Sequence, residues 1–199
     1  MKLYDYLDSG NGYKIRLLLA LRALPYESHE MDIMAGDTHT PEFLALNPNG
    51  AIPVLVLDDG AVIAESNAIL CYLAEGTPFW PSEPLARAHV LQWLFFEQYS
   101  HEPYVATPRF ILRHLPADSP RHAELPARVA RGRAALQVMD QQLGRTPYLV
   151  GERYSIADIA LYAYTHVAEE GGHNLAELPN VRAGLARVAA QPAHVPMRG

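Results

Sequence analysis

Glu65-Ser66 stands twelve residues beyond Pro53 of the run Asn47-Pro48-Asn49-Gly50-Ala51-Ile52-Pro53-Val54-Leu55. If Ser66 opens a helix, its hydroxyl is first of all an N-cap. The free N–H groups of that helix start also suit a carboxylate, and Glu65 beside them can take an ammonium. An acid and a hydroxyl so placed fit a ligand head that carries both charges. Ile52-Pro53 lies between a turn and a strand, where a cis bond would turn the Ile52 backbone N–H and C=O outward. Only about 5–6% of X-Pro bonds in folded proteins are cis, so the dipeptide by itself favours trans. The third chemical segment is Asp8-Ser9-Gly10-Asn11-Gly12-Tyr13-Lys14, between a strand and a helix, where ligands gather in open α/β sheets. A weakly acidic ligand group such as a thiol loses its proton more easily there, through hydrogen bonds to its charged form and the helix dipole.

The elements that position these residues can be read in order. Residues 2–7 form a short strand, and Tyr13–Leu24 a helix whose apolar face holds Ile15, Leu17, Leu18, Leu19, Leu21 and Leu24. Lys14, Arg16 and Arg22 are left to its wetter positions. Pro25 stops this helix, and Tyr26–Met31 reads as a second strand. Thr40-Pro41-Glu42 resembles a capped helix start with proline in its first turn, and Phe43, Leu44 and Leu46 pack a short helix that ends at Asn47-Pro48. Val54–Leu57 and Ala61–Ile63, joined by Asp58-Asp59-Gly60, form a hairpin, and Ser66–Ala74 is a helix closed by Gly76 and Pro78. The order is β-α-β-α-β-β-α, an α/β layer.

Beyond a linker marked by Pro78, Pro81 and Pro84, helix candidates run over Leu85 to about His114, Arg121–Leu143, Ser155–Glu169 and Asn180–Ala190. Pro103 and Pro108 predict a kink in the first. Ser155-Ile156-Ala157-Asp158 has the form of a capping box and is structural. Trp93, Phe95, Phe96, Tyr99, Tyr104 and Phe110 are mainly core, with Tyr99, Tyr104 and Phe110 available to line an apolar pocket. Arg128, Arg131 and Arg133 read as a solvated face or dimer rim.

A chain of 199 residues can bury a large core or two small ones. A net charge of −6 argues against a nucleic-acid partner, whose phosphates need clustered Lys and Arg. The single cysteine, Cys71, excludes an internal disulfide and any Cys-x-x-Cys site, and its apolar neighbours place it as a small buried residue. No two histidines fall three or four residues apart, so no helical metal site is indicated. No apolar run reaches the length of a membrane span and the N-terminus lacks a signal-peptide core, which points to the cytoplasm.

These motifs and their order resemble glutathione S-transferases of the cytosolic bacterial kind, serine-type or theta-like. The resemblance runs from the first strand to Leu178-Pro179-Asn180-Val181-Arg182 and the tail Pro192-Ala193-His194-Val195-Pro196. It implies an α/β thioredoxin-like N-terminal domain over 1–77 that binds glutathione, and an all-α C-terminal domain over 84–199 with a hydrophobic substrate site. It further implies a cis Pro53, an Ile52 backbone paired with the cysteinyl unit of glutathione, and Glu65 and Ser66 on the γ-glutamyl head. In such enzymes the Asp37-Thr38-His39 segment reaches the glycyl carboxylate, with His39 as donor, and Asn49 borders the site. Ser9 leads as the group that stabilises the thiolate, with Asn11 close behind, because related bacterial enzymes use an amide there. No thiol stands in the first loop, unlike cysteine-type members, and Tyr6 is only roughly in register with the tyrosine of tyrosine-type ones.

The implied activity is conjugation of the glutathione thiolate, glutathione being a co-substrate, to a small hydrophobic electrophile. The alternatives are a glutathione-dependent peroxidase, disulfide reductase or isomerase, or a non-catalytic interaction module on the same fold. The resemblance also implies a two-fold homodimer and no metal, nucleic acid or membrane.

Overall fold

The structure, a computed structural model, describes residues 1–198. It divides into two compact units, Met1–Glu75 with the chain from Pro192 onward, and Gly76–Gln191. The tail, assigned from the sequence to the helical part, therefore sits in the first unit.

In that unit β1 (Lys2–Asp5), α1 (Gly10–Leu21), β2 (Glu27–Glu30), α2 (Pro41–Leu46), β3 (Val54–Val56), β4 (Val62–Ala64) and α3 (Ser66–Ala74) follow the expected order. The sheet runs β2-β1-β3-β4, with β1 parallel to β2 and antiparallel to β3, and β3 antiparallel to β4. Leu3, Val54 and Leu55 on the two inner strands are fully buried, each worth about 1.5–3 kcal/mol in transfer from water. Glu27 and Glu30 fall on the outermost strand β2, where charge discourages pairing with a further chain. The hairpin turns through Gly60 at φ 88°, closed by Leu57 N–H on the Ala61 carbonyl at 2.8 Å.

Register decides where the chemical segments meet. Asp5 lies opposite Glu30, Tyr4 opposite Val54, and Val54 opposite Ala64. The C-terminal ends of β1, β2 and β4 and the N-terminal end of β3 are thus at one end of the sheet. The loop before α1, the turn Asp37–His39, the segment entering β3 and the start of α3 all leave from that end.

Helix α1 departs from its expected amphipathic form. Lys14 has no exposed surface and Arg16 is buried as well, while the Arg22 guanidinium donates to the Leu73 carbonyl. The cause is tertiary: α1 packs against α3 and is covered by the tail. Tyr13 Oη donates to the Val195 carbonyl at 2.7 Å, and Arg16 Nη1 to that of Met197 at 2.7 Å. Arg16 Nε also donates to Asp5 Oδ2 at 2.8 Å and Nη2 to the Leu7 carbonyl at 2.8 Å, while Asp5 Oδ1 accepts from Tyr6 N–H at 2.7 Å. A buried ion pair is tolerated when its remaining donors and lone pairs are met in this way. Burial still pushes the Asp5 carboxyl up, to about 7, against the pull of Arg16.

The second unit holds α4 (Pro84–Phe96), α5 (Glu102–His114), α6 (Leu125–Leu143), α7 (Ile156–Thr165) and α8 (Pro179–Ala189). The single kinked helix predicted from Leu85 to His114 is two helices joined by a π-turn at Glu97–His101. The turn sits just ahead of Pro103, which lacks the N–H that regular helical bonding needs. Pro108 remains inside α5. Every residue of α7 is buried, so this helix is enclosed on all sides and its largely apolar sequence has that reason. Its capping box is formed, with Asp158 Oδ2 accepting from Ser155 N–H at 2.9 Å and Oδ1 accepting from Leu149 N–H at 2.8 Å.

Candidate functional site

The shared end of the sheet carries the starts of two helices. Ser9 is the N-cap of α1, in extended conformation, and its half-buried hydroxyl accepts from Gly12 N–H at 3.4 Å. Its side chain thus caps the helix, through a long bond. Asn11, two residues further in, faces α3: its Oδ1 accepts from Lys14 Nζ at 2.8 Å and from Ser66 Oγ at 3.2 Å. Lys14 Nζ also donates to Ser66 Oγ at 3.2 Å. Two predicted residues, Asn11 and Ser66, are thus in contact, joined by a lysine that sequence reasoning placed in water. Its one signal was the spacing Asn11 to Lys14, which puts both on one helix face.

Ser66 was expected to cap α3. It is the helix's first residue instead, and Glu65 occupies the cap position without a capping bond from its side chain. The buried Ser66 hydroxyl turns toward Asn11 and Lys14. Glu65 adopts φ 69°, ψ 114°, a left-handed backbone that costs an L-residue about 1–3 kcal/mol and persists only where surroundings hold it. This leaves its carboxylate exposed at the sheet end.

Ile52-Pro53 is cis, as the resemblance implies; Pro53 is buried and Ile52 partly exposed. The turn before it is organised by Asn47, a residue the motif contained but to which no role was given. Buried Asn47 donates through Nδ2 to the Ala51 carbonyl at 2.7 Å, and its Oδ1 accepts from Asn49 N–H at 3.1 Å. Asn49 itself is exposed. His39 reaches the same turn: a β-carbon on Gly50 would lie 3.3 Å from His39 Nε2, and His39 Nδ1 is 3.0 Å from Thr38 Oγ1.

The electrostatics of this end favour an anion. A fully buried ammonium lies between two helix starts whose N–H dipoles point the same way. Cys71, expected to be buried, is half-buried on α3, and desolvation followed by the charge of Glu75 pushes its thiol up, which disfavours a nucleophilic thiolate. Among the described residues no cluster of His, Cys, Asp and Glu is arranged to hold a metal, and no helix is long and apolar enough to cross a membrane.

In the second unit Tyr99 and Tyr104 line one open groove of about 400 Å³ with Phe96, Arg131, Ala135 and Val138. Tyr99 is 84% exposed, and Arg131 Nη1 donates to Tyr104 Oη at 2.6 Å. Phe110 does not line this groove; its ring lies 5.2 Å from that of His114. About one and two-thirds helical turns separate it from Tyr104, enough to rotate it onto another face.

A four-stranded mixed sheet with an anion-favouring end, followed by a helical unit, defines a class of two-part proteins with a thioredoxin-like ligand-binding half. Residues 9–75 match the glutathione S-transferase N-terminal domain and residues 93–192 the glutathione S-transferase C-terminal domain. The chain belongs to the glutathione S-transferase family. The solved structure of a glutathione S-transferase from Pseudomonas fluorescens Pf-5 is 58% identical, with a TM-score of 0.95 over 98% of each chain. The disulfide-bond oxidoreductase YfcG of Escherichia coli K12 is 34% identical over 94% of this chain and 90% of its own length. A glutathione transferase from Burkholderia graminis, solved with two glutathione molecules per subunit, is 31% identical, with a TM-score of 0.85 over 96% of this chain and 84% of that one.

Proposed function

We propose that the chain binds glutathione at the shared sheet end, lowers the pKa of its thiol and transfers the thiolate to a small hydrophobic electrophile. The observation that carries this reading is the contact of Asn11, Lys14 and Ser66 where α1 and α3 begin. Ser66, the start of α3 and the exposed Glu65 bind the γ-glutamyl carboxylate and ammonium; the Ile52 backbone before cis-Pro53 pairs with the cysteinyl unit. His39 and Asn49 border the glycyl end. Asn11 and Ser9 are the two donors for the thiolate, so that catalysis consists of pKa lowering and positioning. Tyr99 and Tyr104 line an apolar groove of the helical unit that can take a small hydrophobic molecule, and the working form is a cytoplasmic homodimer with a role in detoxification.

Glutathione titration followed at the thiolate absorbance tests the assignment. Ser66→Ala is expected to weaken binding about tenfold, because the hydroxyl that joins Asn11 and Lys14 to the start of α3 is lost, and Asn11→Ala or Ser9→Ala to raise the pKa of the bound thiol. If neither of the last two moves that pKa, the catalytic assignment fails. A second reading, glutathione-dependent disulfide reduction, is favoured by the similarity to the Escherichia coli oxidoreductase. Turnover of a mixed disulfide exceeding that of a chlorinated aromatic would select it.

A further inference from the structure

We propose that the C-terminal segment His194–Arg198 braces the loop that carries Ser9, with Arg16 and Arg198 as positioning residues, and that its grip sets how tightly the sheet end holds its ligand. The inference rests on the reading of that end as a glutathione site.

The loop between β1 and α1 is held from outside, within the first unit. Leu7 N–H donates to Glu30 Oε1 at 3.0 Å on the neighbouring strand, and the Leu7 carbonyl accepts from Arg16 Nη2 at 2.8 Å. Asp8 Oδ1 accepts from Arg198 Nε at 2.6 Å, and Nη2 of the same guanidinium reaches that oxygen too. Ser9 follows directly, its N–H on the Tyr6 carbonyl at 2.8 Å. Both arginines lead to the tail, because Arg16 Nη1 donates to the Met197 carbonyl at 2.7 Å. A guanidinium is a rigid plane whose donors keep fixed positions relative to one another. Arg16 therefore carries a shift of Met197 to Leu7, while its Nε stays on Asp5 Oδ2 at 2.8 Å.

The grip also encloses the site residues in sequence, since Asp8 and Tyr13 flank Ser9-Gly10-Asn11-Gly12. Tyr13 Oη donates to the Val195 carbonyl at 2.7 Å. A phenol has one proton, so His194 Nε2, 3.2 Å from the same oxygen, is the donor there. Burial pulls His194 toward its neutral form, which then carries its proton on Nε2. Residues 192–198 form no helix or strand, and α1 side chains meet the carbonyls of Val195 and Met197 in place of a ladder. A segment held by a few side-chain bonds opens locally at far lower cost than a sheet does. If its release loosens the loop, release and ligand binding oppose each other, and by linkage each shifts the other by the same factor.

The test uses the full chain with Tyr13→Phe, Arg198→Glu, the pair, and the conservative Arg198→Lys. Arg198 is exposed, so its substitution keeps the test open even if loss of the Tyr13 hydroxyl impairs folding; thermal unfolding checks both. Arg198→Glu sets like charges together at Asp8 and is expected to weaken glutathione binding about threefold in calorimetry. The pair is expected to weaken it about tenfold, and Arg198→Lys to bind as wild type does. In wild type, saturating glutathione is expected to slow solvent exchange of the His194 Nε2 proton, followed by NMR, by the same factor of about ten. A tail that merely supports the fold would not sense the ligand in this way. Unchanged exchange of that proton on binding would overturn the proposal, as would wild-type affinity in the folded double variant.

A readout that needs no ligand separates this inference from the assignment of the ligand. In the unliganded double variant, amide exchange at Leu7, Ser9 and Gly12 is expected to quicken about tenfold, with Val54–Val56 unchanged. Unchanged exchange in the loop would refute the brace even if glutathione binds. Failure of wild type to bind glutathione, with loop exchange quickened, would refute the ligand and leave the brace supported.

Discussion

At Gly12 the site's geometry depends on a missing side chain. A β-carbon there would fall 1.4 Å from Asp5 Oδ1 and 2.0 Å from its Cγ. Asp5 cannot step aside, because Arg16 and the Tyr6 N–H hold it. Gly12→Ala is therefore expected to cost more than about 4 kcal/mol, the range reserved for overpacked or broken buried pairs. Urea unfolding checks it, and a midpoint close to that of wild type would show that the ion pair yields. The sequence presents Gly12 only as one of several turn formers beside Asp8, Ser9, Gly10 and Asn11. Its actual role, close approach to a carboxylate on β1, depends on a contact that no local pattern encodes. Ser66 and Glu65 were legible because an acid-hydroxyl pair at a helix start is a local signal. Lys14 was not, because a charged residue is read as exposed unless its burial is known.

At the scale of elements, α7 shows how a cap works when it is wholly buried. Burial pushes the Asp158 carboxyl up to about 6, and this outweighs the hydrogen bonds from Leu149 and Ser155 that pull it down. A folded-state pKa above the ordinary value of 3.8 means that the folded protein holds more protons than the unfolded chain between these values. Stability from this group is then fully present below about pH 4 and is lost as pH rises through about 6. The advantage of wild type over the non-titrating Asp158→Asn is expected to be about 2 kcal/mol larger near pH 4.5 than near pH 7.5. Chemical denaturation at the two pH values measures it, and a difference that grows toward high pH would reverse the sign. The S-x-x-D spacing made this cap visible in the sequence. The π-turn before α5 was half visible: Pro103 announced an interruption, but whether a helix kinks or widens depends on what its buried Glu97 and His101 meet. His101 Nε2 meets Thr165 Oγ1 at 2.9 Å, on a helix far along the chain.

For the molecule as a whole, ligand binding should register where the proposed contacts lie. Glutathione at about a hundred times its Kd is expected to add about 2.7 kcal/mol of stability. Hydrogen exchange is expected to slow most at residues 9–14, 49–54 and 64–70. Protection confined to the helical unit would place the ligand elsewhere. The amino-acid sequence by itself determined the order of strands and helices in the first unit, the hairpin, and the caps at Thr40 and Ser155. These rest on signals that act over a few residues: turn formers, helix breakers and apolar periodicity. Tertiary structure alone decided that Lys14 meets Ser66 across 52 positions and that Arg16 meets Met197 across 181. Such contacts depend on how α1 is enclosed by α3 and the tail. The energy of burying a charge is settled by partners that only the packed chain brings within reach.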